Sequence, residues 1–262
     1  MREFDPRSRQ LLVTFLITML CICAGFILVR YALTKKLPDV PPIISIATTA
    51  DYPPFSFIGN GELVGFDIDL GKEIVYRLGK QFTIHDVPFE LIFIKVHEGE
   101  YSMAIGGITP TANREKLVLF SKPYLGYDPL MIVSRSDAKK LENLLSLEGK
   151  NIGVTPGYTS ELWLKTLKNI KISAQPSLDD CVLALKSGTI DAFVATAQNV
   201  RYMLERLGDT NFNVMPLPDV NENYAIAVDQ AYPVLRDSIN RILSDMESDG
   251  TLQKIKDTWH VR

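Results

Sequence analysis

Gly106-Gly-Ile-Thr-Pro-Thr-Ala-Asn-Arg114 is the stretch on which the fold turns. A short apolar run, residues 102–105, leads into it and reads as a strand. Paired glycines at a strand end let backbone come close to a ligand. Thr109 suits a helix cap and Pro110 a first helical position. Free N–H groups at such a helix start suit an anion. Arg114, one turn on, is spaced to grip a carboxylate with two parallel hydrogen bonds. An ordinary capped helix with a surface arginine has the same sequence, so this segment alone fits both readings.

A second corner of the same kind is Val154-Thr-Pro-Gly-Tyr-Thr-Ser160: strand, glycine turn, helix start. Two helix N-termini from two lobes, facing one cleft, would make a two-sided anion clamp. A third segment, Asp51-Tyr-Pro-Pro-Phe55, places aromatics in a rigid turn; Phe55 reads as core and Tyr52 as a pocket wall.

Outward from these corners, strands and helices alternate. Residues 43–48 form a β-branched apolar run, so a strand. Leu70, Ile74 and Leu78 share a helix face that Gly79 can end. Strands are expected at 82–87, 102–105, 152–154 and 190–195. Leu162, Trp163, Thr166, Leu167 and Ile170 mark one helix, and Val200, Met203, Leu204 and Leu207 another. Ser177-Leu-Asp-Asp180 resembles a capping box ahead of Leu178, Cys181, Val182 and Leu185. Pro233 opens a helix with Leu235, Ile239, Ile242, Leu243 and Met246 on one face; Asp249-Gly250 breaks it before a last helix over 252–259. The alternation implies α/β layers with largely parallel sheets. About 220 residues is large for one core and suits two lobes.

Composition narrows the function classes. Of 262 residues, 46% are hydrophobic, and 28 Lys+Arg against 31 Asp+Glu leave a net charge of −3. That excludes disorder and gives no basic surface for nucleic acid. Cys21 and Cys23 lie in an apolar N-terminal stretch, so Cys181 is alone downstream, on an apolar helix face, and reads as a small core residue. His85, His97 and His260 are isolated in sequence; there is no metal motif, no nucleophile elbow and no phosphate-binding loop, and no cofactor is implied.

Residues 11–29, LLVTFLITMLCICAGFILV, carry no charge. As a helix they would span about 28 Å, close to the roughly 30 Å of bilayer hydrocarbon. Arg2, Arg7 and Arg9 suit a signal peptide, but the apolar stretch is long for one, no A-x-A site follows it, and Ile22 precedes Cys23 where a lipoprotein site needs a small residue. An uncleaved anchor is favoured, with residues 1–10 as a cytoplasmic tail and 30–42 as a linker containing the stiff LPDVPP. Flanking positive charge is balanced and leaves the orientation open.

Six segments, in order, resemble the family 3 extracellular solute-binding proteins, the amino-acid receptors of bacterial ABC importers. They are Thr48-Thr-Ala-Asp-Tyr-Pro-Pro-Phe55, the Gly61-Glu-Leu-Val-Gly-Phe-Asp-Ile-Asp-Leu70 helix entry, Ile108-Thr-Pro-Thr-Ala-Asn-Arg114, Phe120-Ser-Lys-Pro-Tyr124, residues 147–157 and residues 249–259. The resemblance implies a two-lobed type II periplasmic binding fold, with lobe 1 at 43–128 and 229–262 and lobe 2 at 129–228. Its crossing segments fall near 129–133 and 224–228, and lobe closure would follow a hinge motion. It implies exposure on the periplasmic or extracellular side, with an ABC permease as membrane partner and a monomeric state. Carried over by position, Arg114 binds a ligand α-carboxylate, Thr109 and the Gly107 backbone assist, Tyr52 walls the ligand, and Thr159 contacts the carboxylate from lobe 2.

Two positions depart from the family pattern. Where an acid usually takes the α-ammonium stands Thr196, and where Asp is frequent stands Ser102. A buried unpaired ammonium is costly, so either Glu222 or Asp51 substitutes or the ligand lacks a conventional amine. The reading is a binding protein, not an enzyme. A dehydratase-like enzyme on the same fold needs a tuned cleft acid or base, and the pattern places no carboxylate in the cleft. A ligand sensor docking a partner protein suits an anchored chain, but ten residues before the apolar stretch leave no room for a cytoplasmic output domain.

Overall fold

The computed structural model describes residues 17–20, 22–24, 39–208 and 211–262. Residues 1–38 and 39–262 are separate units. In the first, residues 17–20 and 22–24 are helical, with Ile17, Met19, Leu20 and Ile22 exposed. The rest of the expected anchor and the linker up to Pro38 lie outside the described residues. Among the described residues no helix is long and apolar enough to cross a membrane.

The second unit begins with β1 (Ile43–Thr48), β2 (Asp51–Tyr52), β3 (Ser56–Gly59) and β4 (Glu62–Val64), followed by α1 (Phe66–Arg77) and β5 (Gln81–Asp86). Next come α2 (Phe89–His97), β6 (Met103–Ala104), β7 (Leu119–Phe120) and the long β8 (Leu125–Arg135). Then follow β9 (Asn151–Val154), α3 (Thr159–Leu164), β10 (Lys171–Ala174), α4 (Leu178–Lys186), β11 (Ala192–Thr196) and α5 (Ala197–Leu207). The chain closes with β12 (Phe212–Tyr224), β13 (Ala227–Val228), α6 (Pro233–Ser248) and α7 (Thr251–Thr258).

Two five-stranded sheets define two lobes, in the orders β5-β1-β6-β13-β7 and β10-β9-β11-β8-β12. In the first, β1 runs parallel to β5 and β6, and β13 runs antiparallel to β6 and β7. In the second, β9 runs parallel to β10 and β11, and β8 lies antiparallel to β11 and β12. Each sheet is therefore mixed, with two parallel and two antiparallel pairings, rather than largely parallel as the alternation implied. Helices cover the faces, so strand residues such as Ile44, Ile46, Ile152 and Phe193 are fully buried. The ribbon of β8 and β12 pairs from Arg135 and Phe212 to Leu125 and Tyr224, with register shifts on either side of Asn221 and Glu222. It leads out of the second sheet toward β7 and β13 of the first.

Local chemistry explains most element ends. Gly79 (φ +63°) donates its N–H to the Tyr76 carbonyl and closes α1. Ser177 accepts the Asp180 N–H at 3.1 Å and donates to its carboxylate at 2.7 Å, so the expected cap forms. Pro233 opens α6, and Leu235, Ile239, Leu243 and Met246 pack into the first lobe. Burying each such side chain contributes roughly 1.5–3 kcal/mol. Cys181 is buried among Val182, Leu185 and Phe193, and that burial pushes its thiol up to about 12.

Two expected helices differ. No helix starts at Thr109-Pro110; only a 3-10 turn forms, Arg114–Lys116. Thr109 is held instead by tertiary bonds, its hydroxyl donating to Glu222 and its carbonyl accepting from Arg114. The helix expected through Ile170 stops at Leu164. Leu167 and Ile170 still pack on the second-lobe core, but from a loop that reverses at Asn169 (φ +59°) into β10. An apolar spacing of three or four cannot distinguish a helix face from a loop that meets the same core.

Candidate functional site

Tyr52 and Thr159, two of the residues expected on the ligand, and Thr196, at the position expected to face its ammonium, line one cavity of about 30 Å³, together with Asp51, Tyr158, Asn199 and Cys181. That volume holds about one or two waters. Each wall has a sequence origin. Tyr52 follows β1 in the Tyr52-Pro-Pro-Phe55 turn, whose Pro53-Pro54 bond is cis. Thr159 starts α3, and Thr196 ends β11 and caps α5, donating to Asn199 Oδ1 at 2.8 Å.

Arg114, Thr109 and Gly107 stand beside this cavity rather than on it. Arg114 is only 7% exposed. Its Nη1 donates to the Thr109 carbonyl at 2.6 Å and its Nη2 to the Gly157 carbonyl at 2.9 Å, so it ties the two lobes. The guanidinium lies over the Phe89 and Phe93 rings, at 5.1 and 4.6 Å. Burial lowers its pKa to about 10, opposed by the charge of Glu222. The Gly107 N–H donates to Asp67 at 2.6 Å, and a Cβ at Gly107 would come within 2.2 Å of the Tyr52 ring. Glycine here serves close packing against Tyr52 at φ +60°.

A second layer of the site consists of acids. Glu222, on β12 and 2% exposed, accepts from both the Thr109 and the Thr159 hydroxyls. Asp51 accepts from the Thr49 hydroxyl and from Tyr158 Oη at 3.4 Å, and burial raises its pKa. Asp51 and Glu222, the two acids the sequence offered as partners for an ammonium, thus both come to the site, although the residue pattern alone did not place a carboxylate there. Deeper in, Asp128 accepts from Tyr224 Oη at 2.8 Å and the Gln198 N–H at 3.0 Å, and burial raises it to about 6. Tyr224 in turn meets Tyr52 Oη at 3.2 Å. Among the described residues no group of three or more His, Cys, Asp or Glu could hold a metal ion.

The fold, two α/β sheets joined by a crossing ribbon, agrees with what the chain is similar to. The model of the bacterial extracellular solute-binding proteins, family 3, matches residues 44–262. The chain belongs to this family. An arginine-binding extracellular protein, ArtP, of Bacillus subtilis is 29% identical over 217 residues, 82% of this chain and 84% of its own length. Two solved structures of an ancestral arginine-binding protein, one bound to arginine and one to glutamine, are each 32% identical with a TM-score of 0.78. They cover 84% and 85% of this chain, and 98% and 100% of their own.

Within this family 3 chain, several site residues were not visible as such in the sequence. Phe89 and Tyr158 stack with ring centroids 4.1 Å apart, and Tyr158 stacks on Tyr52 at 4.9 Å. Asn199 Nδ2 donates to the Pro53 carbonyl across the lobes at 2.5 Å. Phe89 begins α2, a helix without a polar cap and with apolar residues nearly throughout, so periodicity gave it no face. Glu222 lies in a strand whose pairing is irregular, where alternation does not tell which side chains point inward.

Proposed function

We propose that this chain is the solute-capturing component of an ABC importer and that its cleft takes a free polar amino acid. The observation that carries this is that Arg114 and Glu222 share Thr109 as a partner, with the charge of Glu222 acting on the guanidinium. Thr109 binds both of them, and the 157–159 turn meets both from the other lobe. A zwitterionic head group needs one cation and one anion at short separation, each desolvated in advance. Arg114 is the partner for the α-carboxylate. Glu222 is the partner for the α-ammonium, since Thr196 cannot carry that charge and burial disfavours the charged form of Asp51, which is already bonded to Thr49 and Tyr158. Tyr52 and Thr159 wall the ligand, and the Gly107 turn positions Tyr52. The arginine- and glutamine-bound relatives support an amino acid as ligand.

The lobes divide at 43–128 with 229–262 and 129–228, and the β8 and β12 ribbon provides the hinge. Ligand entry requires Arg114 to leave the Gly157 carbonyl and Asn199 to leave the Pro53 carbonyl. Residues 11–29 hold the monomeric receptor on the outer side of the membrane, next to its permease.

A thermal-shift screen of the full chain against the twenty amino acids, and against carboxylates lacking an amine, tests this. Binding to the folded state raises stability by about 2.7 kcal/mol at 100 times Kd. A shift with amino acids, lost in Arg114→Ala and in Glu222→Gln, is expected. A shift with amine-free carboxylates alone would overturn the role given to Glu222, and silence throughout would overturn the amino-acid reading.

A further inference from the structure

Tyr158 caps α3 of the second lobe, yet its side chain is buried in a first-lobe cluster with Val87, Phe89 and Ile92. Its ring lies between two others, stacked on Tyr52 at an interplanar angle of 19° and on Phe89 at 12°. The flanking residues reach into the same place. The Gly157 carbonyl accepts from Arg114 Nη2, and the Thr159 hydroxyl donates to Glu222. One tripeptide thus offers an acceptor to the site's cation, a donor to its carboxylate and a planar group to its aromatic slot. An amino acid with a planar side chain would offer the same three.

We propose that Gly157-Tyr158-Thr159 is a built-in competitor for the cleft and that Tyr158 determines which ligand side chains enter. This rests on the amino-acid reading above. A guanidinium or aromatic side chain stacks on aromatic faces, so it contends directly with the Tyr158 ring for the space between Tyr52 and Phe89. A small side chain has only to displace the Gly157 carbonyl and the Thr159 hydroxyl. The cleft therefore favours amino acids with small side chains over arginine-like ones, and replacing Tyr158 shifts that preference.

The test is calorimetric titration of the full chain and of Tyr158→Thr with L-arginine and with L-alanine, paired with X-ray scattering in the absence of any amino acid. The variant is expected to bind arginine about tenfold more tightly than the unaltered protein, equivalent to about 1.4 kcal/mol. The gain for alanine should be at least about fivefold smaller than the gain for arginine, and the variant should scatter as a more extended particle. Equal gains for both amino acids, or no gain for arginine, would overturn the specificity role. If neither protein binds arginine or alanine and the screen of all twenty amino acids is silent as well, the amino-acid reading falls, and scattering decides the rest. An extended variant upholds the tripeptide as the group that occupies the cleft, whereas an unchanged profile overturns that as well.

Discussion

Asp67 gives the protein an unusual dependence of stability on pH. Its carboxylate is fully buried on α1. Oδ2 accepts the Gly107 N–H at 2.6 Å and the Tyr124 hydroxyl at 2.9 Å, while Oδ1 has no partner. Burial outweighs these two bonds and lifts the pKa from 3.8 to about 7. Below the ordinary value both folded and unfolded chains hold the proton, and the group is neutral to stability. Between 3.8 and about 7 the folded chain keeps a proton that the unfolded chain has released, so rising pH favours unfolding by about 1.36 kcal/mol per pH unit. Above that window both are ionised and the loss is complete, at roughly 4 kcal/mol. Asp128, lifted to about 6 by burial, acts with the same sign. Asp67→Asn keeps an acceptor for Gly107 and Tyr124 and removes the titration. Urea unfolding of both proteins at pH 5 and pH 8 measures the difference. The unaltered protein should lose roughly 3 kcal/mol more than the variant between the two. Parallel losses in the two proteins would refute the reasoning, because they would show that Asp67 is ionised in the folded state throughout.

Three further outcomes are expected. Arg114→Ala should weaken amino-acid binding by about tenfold to a hundredfold, the range for losing a hydrogen bond to a charged group; calorimetric titration reads it, and a loss below about twofold would remove Arg114 from the site. Gly107→Ala should destabilise the fold by roughly 1–3 kcal/mol, since alanine at φ +60° is strained and its Cβ would strike the Tyr52 ring; unfolding in urea would show this, and an unaltered midpoint would contradict the close approach. Ser177→Ala should cost about 1 kcal/mol and Ser177→Gly only a few tenths, because both remove the Oγ that accepts the Asp180 N–H but glycine, without a Cβ, is far better tolerated at a cap; thermal unfolding that ranks the two the other way would argue against the cap.

Much of the fold was legible because it depends on local rules. The strand at Ile43–Thr48 and the Ser177 cap appear where β-branching and the short polar side chain placed them. So do the end of α1 before Gly79 and the start of α6 at Pro233. The helices expected at Pro110 and through Ile170 failed for one shared reason. In both, local propensity was marginal and tertiary contacts decided: Thr109 bonded to Glu222 and Arg114, and Ile170 packed from a loop. Phe55 was read as core and is buried; Tyr52 was read as a wall and faces the cavity.

By itself the sequence determined the alternation of strands and helices, the two glycine corners and the family to which the chain belongs, because each depends on residues adjacent in the chain. Only the tertiary structure decided which charges meet. Glu222 reaches Thr109 over 113 positions and Thr159 over 63. Tyr158 reaches Tyr52 and Phe89 only because the crossing ribbon brings the second lobe against the first. Such contacts are set by the packing of whole sheets and by the cost of leaving buried polar groups unpaired, and no local pattern records either.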